Sequence, residues 1–255
     1  MAIQIQLVSR PVFDADAYIT AIAAQRGTWR RTQEATGPEE IVEAAGRICY
    51  LSFGAAQAPR TNSEYIDNLV HMGHESVLEH VSWGFVLTGV SRGFSHQLVR
   101  HRIGWAFSQL SQQYHNERDA EFVAPSALTE SLSASAAWSK AIAAAREAYR
   151  EILDSLRTSG VSNDKEFRRA IFSAARSVLP NATETKIFAT ANARALRHFF
   201  TVRGAIEGDE EMRQVSTILF QLVHPEAPAL FSDFVVERLE DGSPRLVQRS
   251  SGRAR

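Results

Sequence analysis

Apolar and polar positions alternate at the start of the chain, where Ile3, Ile5 and Leu7 interleave with Gln4 and Gln6, and this period of two predicts a half-buried strand. Residues 14–36 are Ala-rich and polar and read as a helix followed by a loop. Pro38-Glu39-Glu40 opens a helix, because proline suits the first turn and acids favour its positive end. That helix is predicted to reach Tyr50 with Ile41, Val42, Ala45 and Ile48 on its inward face, and a second starts at Asn62-Ser63-Glu64 and carries Ile66, Leu69, Val70 and Met72. Val81, Trp83, Phe85 and Leu87 alternate within 81–90 and predict a central strand. Ser91 caps a helix through Phe94, Leu98 and Val99 to Arg102. Further helices are expected over 136–159, ended by Gly160, and from Asn163 to Val178, stopped by Pro180. Residues 185–190 suit a strand, and 193–202 and 209–223 have helical spacing. The pattern predicts one α+β domain over 1–241, a central antiparallel sheet flanked by helices, with 242–255 as a mobile tail.

Composition narrows the partners. The 255 residues are 44% hydrophobic and 22% charged, with a formal net charge of −1. Neither a nucleic-acid nor a membrane partner is suggested by that balance, so anion binding has to come from local clusters. No stretch approaches the roughly 20 apolar residues of a membrane span, and the first residues lack a basic region followed by an apolar run. Cys49 is the single cysteine, so no internal disulfide forms, and a cytoplasmic location is expected. Its neighbours Ile48, Tyr50 and Leu51 suggest a buried helix face and an inert thiol.

Three places could carry chemistry. Arg100-His101-Arg102 is followed by the segment Ser108 to Tyr114, rich in hydroxyls and amides. Guanidinium groups match phosphate oxygens bidentately, and a polar turn can complete an anion cradle. The same residues also read as a basic helix end before a solvated loop. His71 and His74 permit a metal site, but no third ligand has characteristic spacing, so no metal is expected. Among Arg176, Arg194, Arg197 and Arg203, helical arginines that are mostly solvated, Arg203 differs. It lies among Phe199, Phe200, Val202 and Gly204, where a charge calls for an anion or a carboxylate partner.

On these residues the chain resembles the flavin-dependent thymidylate synthases. Their signature is Arg-His-Arg, seven arbitrary residues and Ser, compared here with Arg100-His101-Arg102 and Ser111. The segment 73–80, Gly-His-Glu-Ser-Val-Leu-Glu-His, is similar to a family segment, as is 178–185. Asn192, the run Arg197 to Phe200, and Arg203 followed by Glu211-Met212-Arg213 keep family order. The resemblance covers roughly residues 38 to 240. It implies an α+β homotetramer with sites between subunits for FAD, a uridine monophosphate and 5,10-methylenetetrahydrofolate, with NADPH supplying electrons. It further implies that no cysteine attacks the pyrimidine. Carried over by position, His74, Ser76, Arg100, His101, Arg102, Asn192, Arg194 and His198 serve FAD. Gln97, Arg100, Gln109, Ser111, Gln112, Gln113, Arg176 and Arg203 serve the nucleotide, Gln109 being placed at both ligands. Arg203 and Ser111 act on the pyrimidine, Arg203 by stabilising an N3 anion. Three departures bear on the substrate: eight residues separate Arg102 from Ser111, Gln113 stands for an arginine, and Glu207 for a histidine. The expectation is methylation of uracil C5 in dUMP, UMP or both, with a flavin- and nucleotide-binding relative of altered catalysis as the alternative.

Overall fold

A computed structural model describes residues 2–24, 27–57, 60–159 and 164–249. In chain order the elements are β1 (Gln4–Ser9), α1 (Ala15–Ala23), α2 (Gly37–Tyr50), α3 (Asn62–His71), β2 (Ser82–Ser91) and α4 (Arg92–Leu98). There follow β3 (Trp105–Gln109), α5 (Leu132–Ser159), α6 (Lys165–Ala175), β4 (Glu184–Asn192), α7 (Ala193–Arg203), α8 (Glu210–Val223), β5 (Phe234–Arg238) and β6 (Pro244–Gln248). Four strands form an antiparallel sheet in the order β1-β2-β4-β3, and β5 and β6 form a separate hairpin. This is the expected α+β class. β2 is an interior strand because its alternating Trp83, Phe85 and Leu87 are all fully buried.

The chain divides into two compact units. The first comprises Met1–Gln4, Val86–Arg100 and Phe107–Phe188. Its helical core joins Tyr149 and Leu153 of α5 to Ile171 and Ala175 of α6. The Tyr149 hydroxyl accepts the Glu117 N–H at 2.8 Å and donates to Asn116 Oδ1 at 3.2 Å, which anchors the segment after Ser111 on α5.

The second comprises Ile5–Phe85, His101–Ala106 and Ala189–Arg255. In α7, Phe200 meets Phe220, Phe231 and Phe234 edge-on, with ring centroids 5.7 to 6.0 Å apart. Buried Arg197 forks onto Asp233 at 2.7 and 2.8 Å and donates to the Leu230 carbonyl at 2.7 Å. It is therefore structural rather than solvated. Gly204 follows α7 where a Cβ would lie 2.5 Å from the Leu246 carbonyl oxygen, so glycine lets β6 approach the helix end.

Several expectations change. The inward face of α2 is largely charged: Val42 is buried as expected, but so are Glu39, Glu40, Glu43 and Arg47, while Ile48 is 52% exposed. Apolar spacing misled because Glu43 accepts from Arg47 Nε, Trp29 Nε1 and Asn62 Nδ2 at 2.6, 3.3 and 2.7 Å, a buried pair made tolerable by its extra hydrogen bonds. Cys49 is accordingly exposed rather than buried, and Met72 also faces outward. α4 stops at Leu98 rather than Arg102, and the first two residues of the polar segment 108–114 belong to the edge strand β3. Finally, 244–248 is not tail but strand β6, paired with β5 from Phe234↔Gln248 to Arg238↔Pro244. Its polar, Arg-rich surroundings hid Leu246, which is buried. The expected helix limits at Gly160 and Asn163, and the tail beyond 249, lie outside the described residues.

Candidate active site

Each unit gathers part of the residue set. In the second unit the centre is His101, in the turn between α4 and β3. Arg203, the last residue of α7, donates its Nε–H to His101 Nε2 at 3.1 Å. The His101 ring meets Phe199 edge-on at 5.0 Å and His198 at 6.0 Å. Burial, then the charges of Arg203 and His198, push its pKa down from 6.5 to about 4, so the imidazole is neutral near neutral pH. Arg203 is half-buried and makes no ion pair among the described residues, so the carboxylate partner allowed for from sequence is replaced by a neutral ring. A guanidinium held in this way keeps its charge for an anion.

The turn has one backbone requirement. Gly104 has φ +75, and a Cβ there would lie 2.7 Å from both side-chain polar atoms of Asn192. Asn192 caps α7, accepting the Ala195 N–H at 2.8 Å, and its own N–H goes to the Gly104 carbonyl at 3.0 Å. The turn is thus tied to the N-terminus of the helix that ends in Arg203. Arg102 beside it is exposed and unpaired among the described residues. Arg194 is not free: its guanidinium bonds Glu79 at 2.6 Å and lies 3.6 Å from Glu75. His74 is exposed and stacks on Tyr50 at 6.2 Å, and Ser76 lies on the short turn after it. Gly73, with φ +72, separates His71 at the end of α3 from His74, so the two histidines do not share a helix face.

In the first unit β3 leads into the 111–114 turn. Gln109 Nε2 donates to Ser95 Oγ at 3.0 Å and to Thr185 Oγ1 at 3.1 Å, so its amide is fixed between α4 and β4. Ser111 Oγ accepts the Gln113 N–H at 3.3 Å, which leaves its own O–H to donate. Gln113 Nε2 reaches Ser173 Oγ of α6 at 3.1 Å. Gln112 is 7% exposed, and its Nε2 is a buried donor without a partner. Gln97 and Arg100 are exposed at the end of α4, and Arg176 is half-buried where α6 ends.

Arg92 was missed from sequence. Its Nη2 donates to the Leu110 carbonyl at 2.8 Å, immediately before Ser111, and its Nε is buried without a partner. Burial lowers its pKa, Glu117 opposes that, and the charge of nearby Arg176 adds to it. Two cations and two orphaned donors beside a serine turn suit an oxygen-rich anion. The sequence signal was an arginine directly after a helix cap, at a strand-to-helix junction.

A protein-family model described as "Thymidylate synthase complementing protein" matches residues 32–229. The chain belongs to that family. It is 38% identical over 247 residues to a flavin-dependent thymidylate synthase of Mycolicibacterium gilvum, covering 94% of this chain and 93% of that protein. A protein of the same name from Mycobacteroides abscessus is 41% identical over 214 residues, with 82% and 85% covered. Another from Corynebacterium aurimucosum is 38% identical over 233 residues, with 88% and 91% covered. The match to the thymidylate synthase complementing protein family spans both units, and so includes His101 and Arg203 as well as Arg92 and Ser111. No helix among the described residues is long and apolar enough to cross a membrane.

Proposed function

We propose that this chain reductively methylates uracil C5 in a uridine 5′-monophosphate, converting dUMP to dTMP with flavin and folate. The observation that carries the reading is Arg203, a cation at the end of α7 restrained by a neutral histidine instead of neutralised by a carboxylate. Uracil C5 becomes nucleophilic when negative charge develops at N3, and a fixed guanidinium stabilises that charge without reorganising. Ser111, with its hydroxyl proton free to donate, positions and polarises the ring rather than attacking it. The orphaned donors of Gln112 and Arg92, with Gln97, Arg100, Gln109, Gln113 and Arg176, fit the oxygens of the nucleotide.

The residues also fit a flavin dinucleotide. Arg100 and Arg102 are exposed cations without ion pairs among the described residues, which suits a diphosphate. His74, Ser76, Asn192, Arg194 and His198 complete the proposed FAD set, with Arg194 giving up Glu75 or Glu79 to reach a phosphate. When bound, FAD carries electrons from NADPH to the one-carbon unit that 5,10-methylenetetrahydrofolate delivers. The protein's own share is to hold the rings in register and exclude water. The working form is a homotetramer in which neighbouring subunits complete each site.

Gln113 favours a second substrate. A side chain tied to Ser173 leaves its carbonyl oxygen as an acceptor, which suits a sugar hydroxyl. We therefore extend the reading to UMP, at a rate comparable with dUMP. Steady-state methylation of dUMP and UMP under identical conditions, with folate donor, FAD and NADPH, tests both statements. No product from either nucleotide rejects the methylation reading. Robust dUMP turnover with UMP at background rejects only the extension.

A further inference from the structure

The His101–Arg203 contact has a chemical direction. An arginine Nε–H can only donate, so the His101 Nε2 that receives it at 3.1 Å must present a lone pair. The ring proton then sits on Nδ1. Protonating Nε2 would destroy the bond and place an imidazolium against a guanidinium, with His198 close by as a second basic ring. The groups facing His101 from α7 are Arg203, His198 and the edge of Phe199, and no carboxylate pairs with the ring among the described residues. Its surroundings thus disfavour the charged form from every side that carries charge.

The bond also fixes which part of Arg203 remains available. With Nε–H given to the ring, the N–H groups of the two terminal nitrogens are not used in this bond, and rotation of the guanidinium is restrained. The turn that holds His101 is in turn fixed by Gly104 on Asn192 at the other end of α7. One helix therefore sets both the cation and, through its cap, the turn that aims it.

We propose that His101 is a positioning residue: as the Nδ1–H tautomer it accepts from Arg203 and aims the guanidinium, and it keeps its own Nδ1–H as a separate donor. The activity arm of this proposal rests on the methylation reading above; the spectroscopic arm does not.

Two measurements test it. Histidine-selective ¹⁵N spectra of the whole protein report the tautomer directly. At pH 7 the His101 Nε2 resonance is expected in the unprotonated range and Nδ1 in the protonated range. The assignment comes from the resonance pair lost in His101→Gln, and Arg203→Ala is expected to shift Nε2. A protonated Nε2, or a resonance indifferent to Arg203→Ala, overturns the proposal whether or not the protein is active. In turnover, His101→Leu removes the acceptor, and loss of one hydrogen bond to a charged group is expected to lower kcat by about tenfold or more with nucleotide KM changed less. His101→Gln restores an acceptor oxygen and is expected to recover most of that loss. Equal losses in the two variants, or a loss confined to KM, overturn the positioning role. Absence of turnover in the unsubstituted protein counts against the methylation reading, and the spectra then decide on His101 alone.

Discussion

Arg203 and Gln113 illustrate what a residue type can and cannot announce. Arg203 was legible, because a charge set among Phe199, Phe200 and Val202 calls for a partner. The partner was not, since nothing in a linear sequence says that a histidine 102 residues away will accept its proton. The structure now makes a sharper statement about substitution. Arg203→Lys keeps the cation but loses both the fork and the Nε–H that His101 receives. Turnover is expected to fall by about a hundredfold, the scale seen when one preorganised donor is removed, while nucleotide KM changes only a few-fold. Initial-rate kinetics over a range of nucleotide concentrations checks this, and an unchanged kcat would remove Arg203 from the chemistry. Cys49 marks the opposite outcome. Its apolar neighbours suggested burial, yet Ile48, Tyr50 and Leu51 are all exposed with it. Local hydrophobicity could not show that α2 turns its charged side inward.

At the scale of elements, what was legible followed period and punctuation. β2, α3, α7 and α8 were predicted near their observed limits because alternation, caps and helical spacing all agree there. The misses occur where long-range partners override local pattern. Strand β6 exists because Leu246 bonds Gly204 through its N–H at 2.8 Å and its strand pairs with β5, neither of which its own composition reveals. The same region yields a stability test. Asp233 receives both arms of Arg197 and also accepts from Gln248 Nε2 of β6 at 2.7 Å. Asp233→Asn leaves Arg197 buried without its counter-charge, and breaking such a pair costs about 3 kcal/mol. For a chain of this size that corresponds to a melting temperature lower by roughly 6 to 12 °C. Thermal melting of the flavin-free protein is the readout. A variant melting within a degree of the parent would show that the clamp contributes nothing net.

The whole molecule responds to pH through groups that burial has displaced in opposite directions. His101 stays neutral in the fold down to about 4, against an ordinary 6.5. Between those values the unfolded chain binds a proton that the folded chain refuses, so stability falls as pH falls. Burial pushes Asp233 upward, but the hydrogen bonds and charge of Arg197 outweigh it and hold its pKa below 3.8. Its contribution is present above 3.8 and is lost as pH drops through the depressed value. Glu117 works against both: burial raises it above 4.5, so the fold takes up its proton first and gains relative to the unfolded chain as acid is added. Above 4.5 Glu117 thus offsets part of the His101 loss, and below 3.8 the loss of the Asp233 contribution adds to the acid limb. On the alkaline side three tyrosines act in the same direction. Burial raises Tyr65 and Tyr149, and lifts Tyr18 from 10.0 to about 12. The Tyr18 hydroxyl donates to the Ala44 carbonyl at 2.9 Å, and its ring meets Trp29 edge-on. From pH 10 the unfolded chain releases the Tyr18 proton while the fold retains it until about 12, so stability is lost as pH rises across that window. Tyr18→Phe separates the hydrogen bond from the titration. At pH 8 it is expected to melt roughly 2 to 4 °C lower, for about 1 kcal/mol of lost hydrogen bond. Above pH 10 its decline is expected to be shallower than the parent's, so the two melting curves plotted against pH converge. Parallel curves from pH 8 to 12 would mean that the Tyr18 proton is released as easily from the fold as from the unfolded chain.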